Sequence, residues 1–294
     1  MKKTLILMLA LAAAPAAYAA DTKGPLVHGH RGSRGTMPED TIPAFADALR
    51  AGADALELDM DVTKDGVIVV SHEPNVTPAL CLGPDGKKLE KPVPIRSLTL
   101  EELRKYDCGS LPNPKFPKQA RVPGTPMPTL EEVFALVEGS TAPAAAAVEF
   151  NIETKIFPGD PRLSPDPETF AGLVMDAVRR HKMQRRVMVQ SFDVRTLKAV
   201  KKLDRSVRTS QLTGENLLDI VPALKAAGTD IWSPDSKWVT PEAVLEAHEA
   251  GIKVVPYTIN NVKEWDAAIA AGVDAIITDY PAALIDYLRA KKLR

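Results

Sequence analysis

Four times along this chain a helix-like segment closes on Ala-Gly, passes one or two further residues, and opens into a short apolar run. The copies are Ala51-Gly52-Ala53-Asp54 into Ala55-Leu56-Glu57-Leu58, Ala227-Gly228-Thr229-Asp230 into Ile231-Trp232, Ala250-Gly251-Ile252-Lys253 into Val254-Val255, and Ala271-Gly272-Val273-Asp274 into Ala275-Ile276-Ile277. Each glycine stands where a helix ends in the left-handed conformation and hands the chain to a strand. The last three glycines are 23 and 21 residues apart, the length of one strand, one loop and one helix. Apolar strands alternating with amphipathic helices call for a parallel sheet covered on both faces.

The same pattern predicts eight strands: Leu26 to His30, Ala55 to Asp61, Ala147 to Glu153, Val187 to Gln190, Val207 to Leu212, Asp230 to Ser233, Lys253 to Thr258 and Ala275 to Thr278. The clearest helices are Thr41 to Ala51, Thr129 to Glu138, Pro167 to His181, Val194 to Leu203, Pro241 to Ala250, Val262 to Ala271 and Pro281 to Lys292. Eight strands in one unit predict a (β/α)8 TIM barrel. A doubly wound nucleotide-binding sheet would want GxGxxG after its first strand, and His30-Arg31-Gly32-Ser33-Arg34-Gly35 lacks that spacing. The rhythm breaks between Glu73 and Pro128, a proline-dense insertion after strand 2 that holds both cysteines. Its one helix candidate is Thr99 to Tyr106, where Thr99 and Glu102 have capping-box spacing. Loops after barrel strands ring the mouth, so the insertion is expected to shape a pocket there.

Lys2 and Lys3 precede the apolar run Leu5 to Ala14, and Ala17-Tyr18-Ala19 offers small residues two apart. Residues 1–19 therefore read as a cleavable signal peptide, leaving one catalytic domain over 20–294. The run is too short to span a bilayer comfortably, so the expected destination is an exported, periplasmic protein without stable membrane insertion. In an oxidising compartment Cys81 and Cys108 are expected either to pair or to remain as two buried thiols. With 37 Lys+Arg against 38 Asp+Glu the chain has no overall field for a polyanion. Nucleic acid is thus not an expected partner, and phosphate recognition must come from a local cluster. Nothing in the sequence fixes the oligomeric state.

The chemistry is concentrated at strand ends. Glu57, Asp59 and Asp61 alternate with Leu58 and Met60, so the three carboxylates share one face of the second strand. Glu149, Asn151, Glu153 and Lys155 share a face of the third. Carboxylates crowded into a barrel lumen repel one another unless a cation balances them, which points to a hard divalent ion on oxygen ligands. Glu153, nearer the mouth than Glu149, is assigned to that ion beside the carboxylates of the second strand, and Lys155 to an anionic substrate oxygen. His30 ends the first strand, and His72 follows a hairpin whose turn is Lys64-Asp65-Gly66. Two histidines flanking one carboxylate strand can act as base and acid.

His30-Arg31-Gly32, Pro38-Glu39-Asp40-Thr41, Glu57-Leu58-Asp59, Asp65-Gly66 and Ser71-His72 together resemble the signature of the glycerophosphodiester phosphodiesterase family, in its exported bacterial form. Asn151-Ile152-Glu153-Thr154-Lys155, Gln190-Ser191-Phe192-Asp193, Tyr257-Thr258-Ile259-Asn260 and Thr278-Asp279-Tyr280-Pro281 are similar to its later strand ends. The resemblance implies a TIM barrel that hydrolyses small glycerophosphodiesters, such as glycerophosphocholine and glycerophosphoethanolamine, to sn-glycerol 3-phosphate and an alcohol. It implies His30 and His72 as acid–base pair, Glu57, Asp59 and Glu153 as ligands of one Ca2+ or Mg2+ ion, and Arg31 and Lys155 on the phosphate. Asp40 stands where the family commonly has Asn, a difference expected to touch the capping of the Thr41 helix. Tyr257 stands where many members carry Trp, on the pocket wall for the alcohol. The base is assigned to His30 and the acid to His72, with the glycerol 2-hydroxyl attacking to give a cyclic phosphate that water opens. The competing readings are a phospholipase D-like or lysophospholipase D enzyme on a related barrel, and a non-catalytic exported binding protein.

Overall fold

The computed structural model describes residues 24–216 and 219–294, so the leader reading of residues 1–19 lies outside the described residues. Strand β1 (Leu26–Gly29) and helix α1 (Ile42–Ala51) lead to β2 (Ala55–Val62), which turns back as β3 (Ile68–Val70). The insertion carries the short strands β4 (Asn75–Val76) and β5 (Val93–Pro94) and the one-turn helix α2 (Leu100–Leu103), and α3 (Leu130–Glu138) returns the chain to β6 (Glu149–Thr154). The order is then α4 (Pro167–Arg180), β7 (Val187–Ser191), α5 (Val194–Leu203), β8 (Arg208–Thr213), α6 (Ile220–Ala227) and β9 (Ile231–Pro234). The chain ends with α7 (Pro241–Glu249), β10 (Lys253–Val254), α8 (Val262–Ala271), β11 (Ala275–Thr278) and α9 (Pro281–Ala290).

Among the described residues, eight parallel strands run in the order β10-β9-β8-β7-β6-β2-β1-β11. The two ends meet through backbone bonds from Asp274 N to Val254 O (2.9 Å), Ile277 N to Pro256 O (3.1 Å) and Ile259 N to Ile277 O (2.9 Å), completing the predicted TIM barrel. Gly52, Gly228 and Gly272 take φ of 92°, 70° and 81° at the ends of α1, α6 and α8, as the repeated Ala-Gly unit requires. The seventh strand is shorter than its sequence suggests: the expected run to Thr258 stops at Val254, because Pro256 has no N–H to give. The chain nevertheless stays beside β9, with Val255 N on Trp232 O (2.9 Å) and Tyr257 N on Pro234 O (3.0 Å). Helix α6 was marked in the sequence by its Ala-Gly end alone; Pro222 lies in its first turn, where a missing N–H costs little.

Strand parity sorts the core from the site. Leu56, Leu58 and Met60 of β2 face the helices and pack with Phe45, Phe134 and Phe150, each contributing on the order of 1.5–3 kcal/mol by burial. The other parity faces the lumen, which Met188, Ile231, Val255, Ala275 and Ile277 fill with apolar side chains. The carboxylates of β2 and β6 line a separate, polar part of it.

The insertion packs a small core of Val76, Ile95, Leu103 and Met127 around Cys81 and against Val69 of β3. The predicted capping box of Thr99 and Glu102 is formed. Cys81 and Cys108 are joined as a disulfide across 27 residues of chain. Closing a loop of that length stabilises by about 3 kcal/mol in the chain-entropy view. Reduction, or Cys81→Ser with Cys108→Ser, is expected to lower stability to urea by about that amount and to open residues 73–128 to proteolysis before the barrel. Unchanged midpoint and cleavage pattern would show that the insertion's apolar core suffices without the bridge.

Candidate active site

The loop after β1 sets the geometry. Gly32 has φ of 81°, and a Cβ there would lie 2.5 Å from the backbone of Ala44 in α1, so only glycine lets the loop press against the helix. Arg31, also left-handed with φ of 48°, thereby turns its backbone N–H onto Glu57 Oε2 at 2.9 Å. His30 lies beside the neighbouring strand β11: its Nδ1 is 2.6 Å from Asp279 Oδ1, and its Nε2 is 4.0 Å from Glu57 Oε2. An ionised carboxylate only accepts, so Nδ1 carries the proton and Nε2 keeps its lone pair. Asn260 holds Asp279 in turn, donating Nδ2–H to Oδ2 (2.7 Å) and accepting the Asp279 backbone N–H (2.8 Å). Burial lowers the His30 pKa, and Asp279 works against that shift.

Parallel register pairs Glu57 with Asn151 and Asp59 with Glu153. Glu57, Asp59 and Glu153 are all buried and each offers one oxygen within 4.8 Å of the others. Gln190 Nε2 donates to Glu57 Oε1 at 2.7 Å, and Lys155 Nζ lies 3.1 Å from Asp59 Oδ1 and 2.7 Å from Glu153 Oε1. Asp59 Oδ2 is 3.2 Å from Arg31 Nε, yet the two are not aligned and neither makes a hydrogen bond there. Three buried carboxylates with an unsatisfied oxygen form an oxygen-only donor set that fits a hard divalent ion. Burial first, then the neighbouring carboxylates, raises Glu57 well above the usual range, and burial takes Glu153 to about 8 despite Lys155. Asp59 is pulled the other way: Lys155 and Arg31 outweigh burial and hold it low.

His72 is one-third exposed, with Nδ1 3.0 Å from Glu73 Oε1. Burial and the nearby Arg31 and Lys155 lower it to about 4, against the opposing pull of Asp59. His30 and His72, with Arg31, Lys155, Glu57 and Glu153, face one cavity of about 220 Å³. Tyr257 forms part of its wall, its hydroxyl donating to Thr213 O (3.2 Å).

All eight site residues expected from the sequence therefore converge; among the neighbouring acids one expectation, the capping role of Asp40, needs correction. Asp61 shares the lumen parity and yet stands outside the acidic trio; it accepts from the Val62 N–H (2.7 Å), and burial pushes it up to about 8. Asp40 does not cap α1. Thr41 does, its side chain accepting from Ala44 N, while Asp40 takes φ of 56° and leaves both buried carboxylate oxygens without a hydrogen bond. Burial and then Asp59 raise Asp40 well above an ordinary aspartate. The folded state thus prefers the proton that the unfolded chain gives up above its ordinary pKa near 4, so this residue costs stability as pH rises. Asp40→Asn is expected to raise stability at pH 8 by about 1–3 kcal/mol, and by much less at pH 4. Urea denaturation at the two pH values, with chelator present, checks this; an equal gain at both would exclude the buried acid as the cause.

Four further residues escaped sequence reasoning. Asp279, Asn260 and Gln190 were visible in the motif resemblance without roles. Arg34 carried no signal: its Nε donates to Glu39 Oε2 (2.9 Å), and Phe116 of the insertion lies 4.9 Å beneath its guanidinium.

A barrel with paired histidines, a metal-competent acidic trio and buried cations at its strand-end mouth is equipped to cleave phosphodiesters. A model of the glycerophosphoryl diester phosphodiesterase family matches residues 30–283, and the chain belongs to that family. It is 31% identical to the glycerophosphodiester phosphodiesterase of Caldanaerobacter subterraneus subsp. tengcongensis, over 90% of this chain and 98% of that one. The enzyme of the same name from Bacillus subtilis is 29% identical, over 87% and 84%. Human lysophospholipase D GDPD1 is 25% identical, over 88% and 84%. A Silicibacter pomeroyi crystal structure assigned to the glycerophosphoryl diester phosphodiesterases superposes with a TM-score of 0.85 at 32% identity, covering 92% of this chain and 95% of that one. An Oleispira antarctica phosphodiesterase in complex with the product sn-glycerol-3-phosphate shares the fold, with a TM-score of 0.74 at 22% identity over 90% and 97%.

Proposed function

We propose that this phosphodiesterase hydrolyses glycerophosphodiesters, glycerophosphocholine and glycerophosphoethanolamine among them, to sn-glycerol 3-phosphate and the free alcohol, and that it works in the periplasm as a single domain over 20–294 after loss of its leader. The observation that carries the reading is the convergence of His30 and His72 on one cavity that Arg31 and Lys155 also line. A phosphodiester monoanion resists attack through its charge and its poor alkoxide leaving group, so it needs cations on the non-bridging oxygens and a proton for the departing one. A Ca2+ or Mg2+ ion held by Glu57, Asp59 and Glu153 supplies positive charge there when bound.

His30 Nε2 takes the proton of the glycerol 2-hydroxyl, whose oxygen bonds to phosphorus as the bond to the alcohol breaks. His72 gives its proton to the leaving oxygen. Water then opens the cyclic phosphate with the two histidines in exchanged roles. His72 is neutral in the free enzyme at pH 7, since its pKa is about 4. The bound phosphate offsets Arg31 and Lys155, and Glu73 accepts from Nδ1, so the productive complex carries the proton on His72. A product of sn-glycerol 3-phosphate agrees with what the Oleispira antarctica neighbour holds.

The test is release of choline by the chain from Ala20 onward, with sn-glycerol 3-phosphate assayed as the co-product from glycerophosphocholine, with Ca2+ or Mg2+ and with chelator. Glycerophosphocholine, its 2-deoxy analogue and lysophosphatidylcholine serve as substrates. Metal-dependent release from glycerophosphocholine alone supports the reading. Equal turnover of the 2-deoxy analogue replaces the cyclic route by direct attack of water, and turnover of lysophosphatidylcholine alone moves the enzyme to the lysophospholipase D class.

A further inference from the structure

A second hollow, a groove of about 480 Å³, opens beside the catalytic cavity, and the two share His72, Glu153, Lys155 and Phe192 as a common wall. The assigned acid therefore stands at their junction. The oxygen that His72 protonates must lie there too, and the rest of the departing alcohol has the groove to extend into. We infer that this groove is the subsite for the leaving alcohol and that it takes an organic cation, a quaternary ammonium alcohol; the inference rests on the reaction proposed above.

Its lining argues for the cation. Pro74, Ile156, Phe157, Pro158 and Phe192 offer neither donors nor acceptors from their side chains, and the hydroxyl residues Thr154 and Ser191 of the lining are buried, with Ser191 Oγ spent on Thr154 O (3.0 Å), which suits a methylated ammonium better than a polyol. Phe192 is 53% exposed, the one aromatic among the large hydrophobic residues exposed in the described structure. Tyr257 meets it edge-on, with ring centroids 6.2 Å apart and planes at 86°, so the ring is held without being stacked upon. An aromatic face attracts most strongly a cation that has little water to shed, as a quaternary ammonium does.

The charges point the same way. Lys155 is engaged by Asp59 and Glu153, and Arg195 by Asp193. Glu73, half exposed, has only the His72 imidazole as its side-chain partner among the described residues. The rim thus presents a carboxylate, which a cationic headgroup satisfies and a second anion does not.

The experiment compares kcat/KM for glycerophosphocholine and glycerophosphoglycerol, whose headgroup is a neutral polyol, in the wild type and in Phe192→Ala, Phe192→Leu and Phe192→Tyr. Choline binding alone is followed by titration calorimetry in the same proteins. The wild type is expected to favour glycerophosphocholine about tenfold, with the ratio falling towards one in the Ala and Leu variants and returning in Tyr. Choline binding should follow the same order. A wild-type ratio near one, or a ratio kept by Leu, overturns the inference, because no aromatic face is then in use. If neither diester is turned over but choline binds and is lost in Phe192→Ala, the proposed reaction fails and the cation subsite stands. Turnover of both diesters without choline binding sinks the subsite and leaves the reaction.

Discussion

Asp279→Asn is expected to lower kcat on glycerophosphocholine by about a thousandfold while leaving KM within a few fold, close to the loss from His30→Ala. The carboxylate does not reach the substrate; it acts through the 2.6 Å bond that keeps the proton on His30 Nδ1. An amide at 279 can turn its NH2 towards Nδ1, which moves the imidazole proton to Nε2 and removes the lone pair that a base needs. Asn260 favours that orientation, since its own Nδ2–H needs an acceptor and keeps one only if the amide oxygen takes the Oδ2 place and the NH2 faces His30. The pH profile separates this from simple damage. Asp279 raises the His30 pKa against the lowering by burial, so its loss shifts the acidic limb of kcat/KM to lower pH. A variant with kcat within threefold of wild type, or with an unmoved limb, would exclude Asp279 as the group that orients the base.

That pair also marks the boundary of what the sequence discloses. His30 and Asp279 are 249 positions apart, and only barrel closure, with Leu26 of β1 in register with Ala275 of β11, makes them neighbours. Local rules read the barrel well because each of its units is local: an Ala-Gly helix end, a polar residue, an apolar strand. They read Glu57, Asp59 and Glu153 equally well, since strand parity alone assigns them to the lumen. Parity put Asp61 on the same face but could not fix its height along the lumen, and it stands outside the trio. Asp40 misled for a different reason. Next to Thr41 it had the chemistry of a cap, but a left-handed backbone one residue too early turns its carboxylate inward. The contact of Phe116 with Arg34 depends on how a 56-residue insertion folds back, which no periodicity encodes.

Glu153→Gln is expected to bring metal-supported turnover down to the level seen with excess chelator, a loss of a thousandfold or more, and to abolish stabilisation by the ion. It is the cleanest of the three ligand substitutions. Glu57 also holds the Arg31 amide and Gln190, and Asp59 faces both Arg31 and Lys155, whereas among the described residues Lys155 is the one cation paired with the Glu153 carboxylate. The size of the effect follows from charge. Glu39, Asp40, Glu57, Asp59, Glu153 and Asp279 crowd the mouth against Arg31, Arg34 and Lys155, and every one of these carboxyls is buried or nearly so. Such a cluster repels a phosphate unless protons or a cation offset it, and a divalent ion does this without consuming the proton that the leaving group needs. A ligand that binds only the folded state stabilises it by about 2.7 kcal/mol at a hundred times its dissociation constant. Thermal unfolding of the wild type should therefore shift upward with added Ca2+ or Mg2+, and that of Glu153→Gln should not. A variant that keeps both the shift and the turnover would remove Glu153 from the metal site and leave Glu57 and Asp59 to hold an ion elsewhere in the mouth.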